Sequence, residues 1–216
     1  MIIPSLAEFR ALAKSGKLVP IYREVFADHE TPVSAFRKID HGPYSFLLES
    51  VEGGEKWGRH SLLGSRPSMV FIARGDESEV HRDGRVTRGT RPPIEELGAL
   101  LREHQAVALP GLPRFCGGAV GFFGYDAVRW FERLPVRARD DLGSPDAIFM
   151  FVDVVSVFDN LTHTLKVVTH ARAGDDPDAA YAAAVERIET EVQRLNRRWH
   201  GPNPRPGSRR PSPSRR

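Results

Sequence analysis

The sequence predicts an α+β fold, mainly antiparallel β-sheets with a few covering helices. Three observations carry that reading. Short apolar segments such as Tyr44–Leu48, bounded by turn residues, recur through the middle of the chain. Asp83-Gly84 lies between the short expected strands Glu79–Arg82 and Val86–Thr87, and Asp-Gly between short strands is a hairpin signal. Helical periodicity is confined to a few stretches with clear start signals.

In chain order, Ser5 and Glu8 form a capping box, and Leu6, Phe9, Leu12 and Ala13 follow at helical spacing until Gly16. Leu18–Phe26 reads as a strand, with Pro20 placing it at an edge or on a bulge. Thr31-Pro32 is an N-cap followed by proline at the first helical position, opening a helix through Ile39 that stops at His41-Gly42-Pro43. Three antiparallel strands are expected next, at Tyr44–Val51, His60–Leu63 and Ser68–Arg74, with a break at Ser65-Arg66-Pro67. The hairpin at Asp83-Gly84 joins Glu79–Arg82 to Val86–Thr87.

Pro93 opens a helix over Ile94–His104 with Ile94, Leu97, Leu100 and Leu101 as its apolar stripe. A glycine-studded apolar segment, Phe115–Arg129, follows. Ala147–Asn160 and Thr164–His170 read as a second hairpin turning at Asn160-Leu-Thr-His163. Asp178–Leu195 is an amphipathic helix with Ala182, Val185, Ile188, Val192 and Leu195 on one side. The expected organisation is one domain over residues 1–196 and a disordered Arg/Pro/Ser-rich tail over residues 197–216.

Charge narrows the function. The formal net charge is +3, but residues 197–216 hold seven arginines and no acid, leaving 24 basic against 28 acidic residues before them. The domain itself therefore has no electrostatic case for nucleic acid. A single cysteine, Cys116, excludes an internal disulfide. The longest apolar run, Ala147–Phe158, is interrupted by Asp153 and Ser156, so no membrane span is expected. The first residues lack the pattern of a signal peptide, which makes the expected location cytoplasmic.

No chemistry-bearing constellation is complete. The glycines at 118, 121 and 124 lack the G-x-G start of a dinucleotide fingerprint and open no clean helix. They read as allowing close backbone approach between strands, with Asp126 and Arg129 as polar anchors. The eight histidines show no ligand spacing, so neither a metal site nor catalytic residues are assigned. What remains is a strand tip. Glu49-Ser50 ends an apolar strand, and a carboxylate and a hydroxyl there could grip an amino acid's ammonium and carboxylate groups.

Leu47-Leu48-Glu49-Ser50, the segment Trp57–Gly64, and Gly117–Arg129 together resemble the amino-terminal region of anthranilate synthase component I, over about residues 1–195. The resemblance implies an enzyme that makes anthranilate and pyruvate from chorismate and ammonia, or glutamine through an amidotransferase partner subunit, with Mg²⁺. It implies feedback inhibition by L-tryptophan, with Ser50 and Glu49 as inhibitor contacts. The family's chorismate-binding and Mg²⁺-binding residues come from a carboxy-terminal portion with no counterpart here. The chain alone is therefore expected to lack catalysis and to hold no cofactor, and the tail points to a truncated or frame-shifted reading. The alternatives are the same region of aminodeoxychorismate synthase component I, a stand-alone tryptophan-binding module, and a binding module whose arginine-serine tail engages RNA or acidic partners.

Overall fold

The computed structural model describes residues 1–49, 58–135 and 140–197. Two antiparallel sheets dominate. The six-stranded sheet runs β1 (Ile2–Ile3), β2 (Val19–Phe26), β11 (Thr164–Ala171), β10 (Val154–Asp159), β4 (His60–Ser65) and β3 (Ser45–Leu48) in spatial order. The five-stranded sheet runs β7 (Arg85–Arg88), β6 (Glu77–Arg82), β5 (Met69–Arg74), β9 (Ala147–Val152) and β8 (Gly118–Phe123). Its β6–β7 hairpin turns at Asp83-Gly84, both at positive φ (51° and 73°), as a tight primed turn requires.

The first two helices form where their caps predict them. α1 (Leu6–Ala13) carries the Ser5–Glu8 capping box, and α2 (Pro32–Ile39) carries a Thr31–Ser34 box with Pro32 at its start. α3 (Pro93–Glu103) packs on the five-stranded sheet through Leu97 and Leu100, while Leu101 turns to solvent. α4 (Pro177–Leu195) is N-capped by the Asp176 carboxylate and lies on the six-stranded sheet with α1 and α2. Its buried face runs through Ala184, Ile188, Val192 and Leu195, and Ala182 is exposed instead of lining it. Three apolar clusters result: helices on the first sheet, α3 on the second, and Tyr22, Phe46, Val155, Val157 and Val168 facing Val152, Val120 and Met150 between the sheets.

The expected single strand over Ala147–Asn160 is two strands. The run breaks at exposed Asp153, with β9 in one sheet and β10 in the other. The same happens beside it, where β4 and β5 separate at Ser65-Arg66-Pro67-Ser68, Arg66 taking a φ of 52°. Pairing continues on both sides of this corner, from Val155↔Gly64 to Met69↔Phe151. Residues 65–68 thus face only residues 152–154, a one-residue bulge that turns both strands from one sheet into the next. The strands expected over Tyr44–Val51, His60–Leu63 and Ser68–Arg74 accordingly do not share one sheet. Val51 lies outside the described residues, as do Trp57 and the tail beyond residue 197.

Candidate functional site

β3 is an edge strand, paired among the described residues only with β4, through Ser45↔Ser65 to Leu48↔Leu62. Glu49 follows at its open end and is exposed, with no partner among the described residues. Ser50 lies outside the described residues. The chain returns at Gly58 and enters β4, so Glu49 shares one end of the sheet with Arg59, His60 and Ser61, and with Asp159 and Asn160 at the end of β10.

That rim is held by a polar network which sequence reasoning missed. Arg59 donates from Nη2 to Asp159 Oδ2 at 2.7 Å and from Nε to both carboxylate oxygens at 3.0 and 3.1 Å. The Asp159 Oδ1 also accepts the Leu161 and Thr162 amides, closing the turn into β11. Asn160 donates from its side-chain amide to Gly58 O and Ser61 Oγ, and its backbone amide donates to Arg59 O. The only sequence signal was an acid closing an apolar run just before a turn.

The electrostatics assign roles. Burial pushes the Asp159 carboxyl up, but the Arg59 hydrogen bonds, the two backbone amides and the Arg59 charge outweigh it and lower it to about 2. Asp159 is thus a saturated anion, unsuited to moving protons. Burial lowers the His60 imidazole, with Asp159 opposing and the charges of Arg59 and Lys166 reinforcing, so His60 is neutral at pH 7. The rim therefore offers a carboxylate at Glu49 that is unpaired among the described residues, and a neutral imidazole at His60. That suits binding of a cationic group and supplies no acid–base pair.

The glycine segment packs as expected. A Cβ on Gly121 would stand 1.9 Å from the Ile148 carbonyl oxygen, and one on Gly117 would stand 2.1 Å from His170 Cε1. Asp126 and Arg129 pair at 2.9 Å on the 3-10 turn that follows β8. Burial, with the His104 charge adding, lowers the His170 imidazole to about 4. Among the described residues, no group of three or more His, Cys, Asp or Glu side chains is placed to hold a metal ion, and no helix is long and apolar enough to cross a membrane.

Residues 44–216 match the family described as chorismate binding enzyme. The chain is 39% identical over 201 residues to anthranilate synthase component 1 of Acetivibrio thermocellus, covering 92% of this chain and 41% of that protein. It is 41% identical over 201 residues to the protein of the same name from Synechocystis sp., covering 90% and 40%. The crystal structure of anthranilate synthase component I from Streptococcus pneumoniae TIGR4 shares the fold, with a TM-score of 0.50 at 24% identity over 78% of this chain and 36% of that one. The chain thus spans about 40% of the length of the curated relatives it matches. With two antiparallel sheets and few helices in common with that solved structure, and a family match that includes the rim and the glycine strand, this chain belongs to the chorismate binding enzyme family.

Proposed function

We propose that the chain is the tryptophan-responsive, amino-terminal scaffold portion of an anthranilate synthase component I. The observation that carries this reading is Glu49, an exposed carboxylate without a partner among the described residues at the end of an edge strand, directly before Ser50. A carboxylate in that position grips an ammonium group, and the adjoining hydroxyl and backbone amides suit a carboxylate. L-tryptophan carries both groups. Beside them, the Arg59–Asp159–Asn160 network fixes where the chain re-enters the sheet, so the rim keeps one shape.

In the whole enzyme, chorismate with ammonia or glutamine would give anthranilate and pyruvate, with a glutamine amidotransferase as partner subunit. This chain's contribution would be the sheet scaffold and one wall of the inhibitor site, with Mg²⁺ held by the rest of the enzyme. Tryptophan held there would favour a state that binds chorismate less well, and chorismate would weaken tryptophan binding by the same factor. Alone in the cytoplasm, the chain would not turn over chorismate. The relatives named above favour the tryptophan branch over its folate-pathway sister.

Calorimetric titration of the 216-residue chain with L-tryptophan tests the reading. Saturable binding is expected, weakened roughly tenfold or more by Ser50→Ala or Glu49→Gln, the cost of losing a hydrogen bond to a charged group. A folded chain that binds no tryptophan, or binds it equally after both changes, would sink it.

A further inference from the structure

The two sheets have four outer edges, and three are protected against pairing. β1 is two residues long, β3 is four, and β7 carries Arg85 and Arg88. β8 is different. It is six residues long, Gly118-Ala-Val-Gly-Phe-Phe123, and no charged residue occurs from Cys116 to Tyr125. One side pairs with β9 along its whole length, and among the described residues nothing pairs with the other side. Phe122 and Phe123 are about half exposed (49% and 48%) and Tyr125 is 90% exposed.

We propose that this edge pairs antiparallel with β8 of a second copy of the chain, joining two five-stranded sheets into one. The sequence of the strand selects that occupant. A two-fold axis perpendicular to the sheet must pass midway between the two copies of one residue, because opposed residues share a face. Centred on Val120, the pairing sets Val120 against Val120, Ala119 against Gly121, and Phe122 against Gly118. Each exposed ring then covers a glycine whose Cβ position is open, with nothing within 4 Å. Aromatic cover over an edge glycine stabilises such a pair. No like charges meet across the pair.

Sedimentation velocity on the full chain reads the outcome. The expected species has twice the 24.1 kDa chain mass. Phe122→Lys, which changes an exposed side chain and places a charge on the edge, should return it to monomer with an unchanged far-UV spectrum. A second arm fixes the register. In a Cys116→Ser background, a short bis-maleimide should join Val120→Cys to itself and leave Phe123→Cys unjoined. A monomer at the highest soluble concentration would overturn the proposal and leave the edge for another polypeptide. So would a dimer that survives Phe122→Lys, a polydisperse aggregate, or equal cross-linking at both positions.

Discussion

Arg59 and Asp159 clasp across β4 and β10, the guanidinium reaching both carboxylate oxygens, with Nη2 2.7 Å from Oδ2. Asp159 is only 3% exposed while Arg59 is 40% exposed, so the acid depends on the pair more than the base does.

That asymmetry has a pH signature. The Asp159 carboxyl falls from an ordinary value of 3.8 to about 2 in the folded chain. A depressed acid contributes stability that is present above 3.8 and lost as pH falls towards 2, here roughly 2 kcal/mol. Asp159→Asn should remove this acid limb and cost about 3 kcal/mol at neutral pH, near the lower end for breaking a buried pair because Arg59 keeps its water. Urea unfolding across the pH range checks both; an unchanged acid limb in the variant would refute the assignment.

His170 titrates in a separate window. Burial, helped by the His104 charge, lowers it from 6.5 to about 4, so the folded chain prefers the neutral ring. Its contribution is complete above 6.5 and is lost as pH falls from 6.5 to 4, because the unfolded chain takes up the proton first. The loss should approach about 3 kcal/mol and then level off. His170→Gln should flatten the curve between pH 6.5 and 4 and leave the Asp159 limb below it intact.

Gly121→Ala addresses the seam between β8 and β9. Its new methyl would stand 1.9 Å from a backbone oxygen, which cannot swing aside as a flexible side chain does. The strand must shift, at a cost of about 3 kcal/mol or more, beyond the usual range for overpacking. Thermal unfolding measures it, and a change below about 1 kcal/mol would show that the strands separate easily.

Legibility followed the range of the signal. The Ser5–Glu8 box, the Thr31-Pro32 start and the Asp83-Gly84 turn are local, and each element stands within a residue or two of its expected place. The glycine strand was readable because glycine in an apolar strand has few other uses. The break at Asp153 was not, since the residues on both sides are equally apolar and only the partner strand decides which sheet they join. The α4 stripe slipped from Ala182 to Ala184 because alanine carries little apolar contrast in a helix rich in it. At the rim, Glu49 could be named from its motif, while Asp159 acquires meaning only from Arg59, a hundred positions away.

The corner at residues 65–68 and 152–154 bears on how the fold comes apart. Two adjacent, mutually paired strands cross there, so neither sheet is a separate covalent unit. Opening one ladder drags the other through peptide bonds a few residues away. The eleven strands among the described residues therefore behave as a single cooperative foldon, and the most protected amides of both sheets should exchange through one shared global event.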